Sequence, residues 1–174
     1  SRLQSKIKEL YASPDWQAKT AKMQPMLAKL SAVSGMKITE LDQLAGLADV
    51  LHIRQLHKVP MPQGLSDKEA AEVIEAGDRL FGDQFTSRQI GQAGGHEVLQ
   101  AIVNYFRDAS EKKLPLKFVL LSGHDTTIAS VMSALGVPLE RRPPYASDLN
   151  FALYEENGNF RVKLMLNERP ISLP

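Results

Sequence analysis

Residues 116–127 read LKFVLLSGHDTT. The first half is a short apolar run centred on Phe118 and Val119, entered from Pro115 and broken by Gly123. Its length and composition favour a strand buried on both faces. From a start near Asp125, Ile128, Val131, Met132 and Leu135 then recur at i, i+3, i+4 and i+7, which predicts a helix ended by Gly136 and Pro138. Upstream, Val98, Leu99, Ile102, Val103 and Phe106 make a further amphipathic helix that starts near Gly95. Helix, strand and helix in this order predict an α/β layer with a parallel strand.

Towards the N-terminus the texture is helical. Leu3, Ile7, Leu10 and Tyr11 share one helical face. Ser13 followed by Pro14 reads as a cap and a first-turn proline. Trp16, Thr20, Met23, Leu27 and Leu30 repeat at helical spacing, and Pro25 should kink or split that helix. Gly35 is a stop, and Thr39 caps a helix whose apolar face is Leu41, Leu44, Ala45 and Ala48. Residues 58–64, KVPMPQG, form an extended loop. Ser66 and Glu69 make a capping box for a helix with Ala70, Val73, Ile74 and Gly77 as its buried stripe and Gly82 as its C-terminal cap. The polar, glycine-rich stretch at 82–95 then marks a boundary. At the other end, strands at 149–155 and 160–166 flank Asn157-Gly158, a strong hairpin turn signal.

Composition narrows the function. The chain has 174 residues, 43% hydrophobic and 24% charged, as in soluble globular proteins. A formal net charge of +1 argues against a strongly basic nucleic-acid binder and against an acidic solvating tail. Without cysteine there are no disulfides, thiolate metal sites or cysteine nucleophiles. No apolar run reaches membrane-spanning length. The opening SRLQSKIKELYAS has no apolar core of a signal peptide, and the chain reads as a mature or truncated product.

The chemistry concentrates at Ser122-Gly123-His124-Asp125-Thr126-Thr127, where the expected strand ends and a helix begins. Ligands gather outside the carboxyl ends of strands, and a helix N-terminus offers unpaired N–H groups and a positive dipole end to a phosphate. His124 can present a charged donor to an anion. Asp125 suits proton transfer, because a carboxyl beside a phosphate is driven towards its protonated form. The bland alternative stays open at this point: Asp125 or Thr126 caps the helix and His124 is a loop residue.

Three stretches carry a family resemblance. LLSGHDTTIASVMSALG, residues 120–136, resembles the HDTT segment of the histidine acid phosphatases, branch 2 of the histidine phosphatase superfamily. PPYASDLNFALYEENGNF, residues 143–160, resembles their PPYAS stretch and C-terminal hairpin, and Gly94-Gly95 is similar to their glycine pair before an amphipathic helix. The resemblance is specific from Gly94 to Asn167 and weak before Pro60. It implies a helical subdomain over residues 1–90, then the C-terminal part of a three-layer α/β/α catalytic domain over 91–174. The implied reaction is phosphomonoester hydrolysis through a phosphohistidine, with inorganic phosphate released. His124 would be the phosphate-contacting histidine and Asp125 the proton donor to the leaving alcohol. No metal or cofactor is implied, and the setting is periplasmic, secreted or lysosomal. HDTT rather than HDTN leans away from phytases.

Two departures qualify the match. Asp148 stands where the animal enzymes carry a cysteine. The family's nucleophile lies in an RHGxRxP motif, and this chain has no RHG. Arg54, Arg79, Arg88 and Arg107 sit in no matching context for a phosphate-binding arginine. His52 and His57 fall at a helix end and suit solvated or capping roles, and His96 suits the surface. The expectation is therefore part of an acid phosphatase, inactive by itself, whose nucleophile was encoded upstream. Lost strand neighbours would expose edges and invite a homo-oligomer. The competing readings are a non-catalytic phosphate-ligand-binding or interaction module, and a helical scaffold whose Met23, Met26 and Met36 are simply core.

Overall fold

The computed structural model describes residues 2–113 and 115–174. It divides into two compact units: Leu3–Gln84 with Glu140–Arg142, and Phe85–Leu139 with Pro143–Pro174.

The first unit is built from α1 (Arg2–Tyr11), α2 (Pro14–Ser34), α3 (Leu41–Leu56) and α4 (Asp67–Gln84). Local signals set most of the ends. The Trp16 N–H donates to Ser13 Oγ at 3.3 Å, and Pro14 occupies the first turn, where its missing N–H costs nothing. Gly35 closes α2 at φ 69°, a left-handed conformation that glycine adopts without strain. The Ser66 N–H donates to Glu69 Oε2 at 3.0 Å and the Glu69 N–H to Ser66 Oγ at 3.3 Å, a reciprocal box at the head of α4. Residues 58–64 carry no regular structure, as the two prolines demand.

The stripes expected from the sequence meet in one core. Trp16, Leu27 and Leu30 of α2, Leu41, Leu44, Ala48 and Leu51 of α3, and Ala70, Val73, Ile74 and Leu80 of α4 are buried together. That shared burial explains the first correction. Pro25 does not split α2, which runs unbroken to Ser34, because the buried residues on either side of it fix both halves against the same neighbours. The second correction is at α3, whose N-cap is Glu40 and not Thr39. Gln43 Oε1 accepts from the N–H groups of both Thr39 (2.8 Å) and Glu40 (3.1 Å), which settles the start one residue later.

The third correction concerns Gly82. It caps nothing: α4 continues past it to Gln84. A Cβ at Gly82 would stand 2.4 Å from the backbone carbonyl of Glu140, so the missing side chain makes room for residues 140–142. That tripeptide is fastened to the helices. The Arg142 N–H donates to the Asp78 carbonyl at 3.0 Å. Its guanidinium lies 3.6 Å from carboxylate oxygens of Asp49 and Asp78 and over the Phe81 ring at 4.7 Å. Arg141 pairs with Glu75. Burial raises the Asp78 carboxyl above its ordinary value, with the Arg142 charge pulling the other way.

The second unit contains α5 (Arg88–Ser110), α6 (Asp125–Ala134), β1 (Leu149–Glu156), β2 (Asn159–Leu166) and the short β3 (Arg169–Pro170). The strands form an antiparallel sheet in the order β1-β2-β3, with Phe151 opposite Leu164 and Leu153 opposite Val162. Helix α5 starts at Arg88, seven residues before Gly95. The glycines of the stretch expected as a boundary lie inside the helix because α6 packs there at close range. A Cβ at Gly91 would stand 2.5 Å from the Ala134 backbone nitrogen, and one at Gly95 would stand 2.9 Å from the Ser130 carbonyl. Close packing offsets the cost of about 1 kcal/mol that glycine adds to a helix interior.

The largest correction falls on residues 116–121. They form no strand, and among the described residues the sheet is wholly antiparallel and does not include them. Phe118 is 74% exposed and Leu120 80% exposed. A strand buried on both faces needs a hydrogen-bonded neighbour and a covering layer, and neither lies over this segment among the described residues.

Candidate active site

Helix α6 begins where the exposed extended segment ends. The N-cap is His124, in extended conformation at φ −123° and ψ 170°. Its N–H donates to Thr127 Oγ1 at 3.2 Å, while its carbonyl accepts from the N–H groups of Thr127 (3.0 Å) and Ile128 (3.2 Å). Gly123 matters to this closure. A Cβ there would lie 3.2 Å from the Thr127 side chain, which folds back across it to reach the His124 nitrogen.

This arrangement corrects the bland reading in part. His124 is the cap itself and not a passive loop residue, and Thr127 supplies the returning hydrogen bond. Asp125 is the first helical residue, half-buried, and its Oδ1 accepts from the Thr126 N–H at 2.7 Å. The carboxylate therefore sits in the first turn, at the positive end of the helix dipole. His124 is exposed. An exposed imidazole and an adjoining carboxyl thus share one helix N-terminus, where backbone N–H groups and the dipole favour negative charge.

The helix behind them is well held. Ala129, Ser130, Val131, Met132 and Ser133 are buried, and the Ser133 hydroxyl donates to the Ser87 carbonyl at 3.2 Å. The two side chains therefore project from a rigid element while the segment leading into them is exposed.

The other histidines stand elsewhere. His57 is the exposed C-cap of α3, its N–H donating to the Ile53 carbonyl at 3.0 Å. His52 is half-buried on α3, where its charge acts on Asp78. His96 is exposed on α5, well inside the helix and not in its first turn. Among the arginines, Arg54 donates to the Pro60 carbonyl and Arg79 to Glu75. Arg142 carries no short-range sequence pattern that marks it. Two aspartates and a ring already occupy it, so it offers no anion site.

A cleft of about 340 Å³ lies at the end of α3, lined by Gln55, Lys58, Val59, Pro60, Met61 and Asp67. It contains no histidine, and its wall sets one cation, Lys58, against one carboxylate, Asp67. Among the described residues no group of three or more His, Asp or Glu side chains is arranged to hold a metal ion. No described helix is long and apolar enough to cross a membrane.

Comparison with known proteins assigns the class. Residues 5–167 match the family model described as the histidine phosphatase superfamily, branch 2, and the chain belongs to that family. It is 28% identical to bovine (Bos taurus) lysosomal acid phosphatase over 172 residues, which cover 92% of this chain and 40% of the relative. Identity to human (Homo sapiens) prostatic acid phosphatase is 24%, over 94% of this chain and 43% of the relative. Counting factor 60 of Dictyostelium discoideum is 25% identical over 74% of this chain and 31% of its own length. The chain thus spans about two fifths of the length of the acid phosphatases it matches.

Proposed function

We propose that this chain supplies part of the active site of an acid phosphatase that cleaves phosphomonoesters through a phosphohistidine. His124 contacts the phosphoryl oxygens, and Asp125 gives a proton to the departing alcohol. The nucleophilic histidine comes from a segment outside this chain, which contains no RHG. The observation that carries the reading is the pairing of an exposed imidazole with a half-buried carboxyl at the N-terminus of α6. Family membership and the matched acid phosphatases support it.

The exposed run at 116–121 supports the partial character of the site. It is apolar enough for a sheet interior, yet Leu120 is 80% exposed. In the proposed three-layer domain this run is a strand completed by neighbours from the missing portion. The lysosomal and prostatic relatives suit a lysosomal or secreted setting.

The test is hydrolysis of p-nitrophenyl phosphate at acid pH. The purified chain alone is expected to give no turnover above buffer. Turnover that disappears in His124→Ala would place the nucleophile within this chain and overturn the assignment. In a protein carrying the complete site, Asp125→Asn should slow alkyl phosphates much more than p-nitrophenyl phosphate, because a poor leaving group most needs the proton. Equal slowing of both substrates would remove the general-acid role.

A further inference from the structure

Two asparagines of the second unit occupy the same backbone position. Asn157 and Gly158 join β1 to β2 between the paired residues Glu156 and Asn159. Asn167 and Glu168 join β2 to β3 between Leu166 and Arg169. All four turn residues have positive φ: 52° and 76° in the first turn, 49° and 64° in the second.

Their side chains live differently. Asn167 Oδ1 accepts from the Asp148 N–H at 2.9 Å, and its Nδ2 donates to Ser147 Oγ at 3.0 Å. The residue after it, Glu168, carries a side chain beside the backbone nitrogen. The exposed Asn157 amide has no hydrogen-bond partner among the described residues. Gly158 follows it, and a Cβ there would meet no atom within 4 Å, so no other segment crowds the Cβ side of that residue. The other asparagines, Asn104, Asn150 and Asn159, each precede an aromatic residue.

We propose that Asn157 is a site of spontaneous deamidation that remodels the β1–β2 turn. The Gly158 backbone nitrogen gives its proton to solvent base and attacks the Asn157 Cγ. The new N–Cγ bond forms as the Cγ–Nδ2 bond breaks, and the side-chain nitrogen takes a proton from water and leaves as ammonia. Water then opens the cyclic imide at one of its two carbonyls. The net change is asparagine plus water to ammonia plus either aspartate or its β-linked isomer, with no change of oxidation state.

The two products have different structural fates. Aspartate tolerates the left-handed conformation and keeps the turn, adding a negative charge beside Glu155 and Glu156. The β-linked product puts an extra methylene into the main chain of a loop whose two residues set the strand register, and so uncouples β1 from β2.

The test is incubation of the folded chain at mildly alkaline pH, followed by peptide mapping with mass spectrometry and an isoaspartate-specific methylation assay. The urea-unfolded chain serves as the positive control. Conversion at Asn157 is expected to run at least about tenfold faster than at Asn167, since glycine leaves the attacking nitrogen uncovered. It should give both products, and Asn157→Gln should remove it. Two results overturn the proposal: equal rates at Asn157 and Asn167 in the folded chain, or no conversion at Asn157 in the folded chain while the unfolded chain converts there.

Discussion

The helical unit and the unit that begins at Phe85 treat their apolar residues differently. In the first, the stripes of α2, α3 and α4 face one another, and Leu27, Leu41 and Leu44 are fully buried. In the second, α5 and α6 meet along a close seam at Gly91 and Gly95, but the outer stripe of α5 is only half-covered, with Val103 exposed. Phe118 and Leu120 lie open, and so do Phe160 and Val162 near the hairpin tip. An apolar pattern states a demand for partners. The facing stripes of α2, α3 and α4 meet that demand from one another, although Met36, Val50 and Leu56 of the same unit stay exposed, whereas the described part of the second unit leaves the whole run at 116–121 uncovered.

The contrast can be broken or sharpened by substitution. The largest effect is expected from Leu44→Ala, which empties a fully buried position in the helical core. Urea denaturation should report a loss of about 2–5 kcal/mol, and a loss below about 1 kcal/mol would mean that this core is loosely packed.

An intermediate effect is expected from pH, with opposite signs at two carboxylates of α4. Lys29 and Ser66 hydrogen-bond the Glu69 carboxylate and hold it down to about 2. Its ordinary value is 4.5, so its contribution is present above that pH and is lost as pH falls towards 2. Asp78 is raised by burial, so its contribution is present below its ordinary value of 3.8 and is lost as pH rises through the raised value. Urea midpoints followed across the acid range should therefore fall less steeply towards low pH in Glu69→Gln than in the parent chain. Asp78→Asn should gain relative to the parent as pH rises. Parallel curves for all three proteins would show that neither carboxylate is linked to folding.

The smallest effect is expected from Leu120→Ser, within about 0.5 kcal/mol, as for substitutions at exposed positions without partners. A loss comparable to that of Leu44→Ala would show that the segment is covered in solution and would erase the difference between the two units.

What the sequence discloses follows the range of the interaction. The Ser13 cap, the Gly35 stop and the box of Ser66 and Glu69 are settled within three or four residues, and each is legible. The stripes of α3 and α4 are legible because helical period and burial coincide there. Gly82, Gly91 and Gly95 misled because a glycine that ends a helix and one that lets a distant backbone approach are the same letter. The run at 116–121 misled because apolar composition records what a segment needs and not whether it is supplied. At the candidate site the start of α6 was legible from Gly123 and Asp125. That His124 is the cap, with Thr127 returning the bond, depends on backbone angles that composition does not encode. Arg142 was illegible because its hydrogen bond to the Ala45 carbonyl spans 97 positions.

Residues 140–142 carry one more consequence. The helical unit is discontinuous in the chain, with its last three residues arriving after α5 and α6 have been made. During synthesis the Asp49 and Asp78 carboxylates therefore wait, without their guanidinium, for more than fifty further residues to leave the ribosome. No single cut between α4 and α5 yields an intact helical half, and exchange of that half between relatives has to bring the tripeptide along.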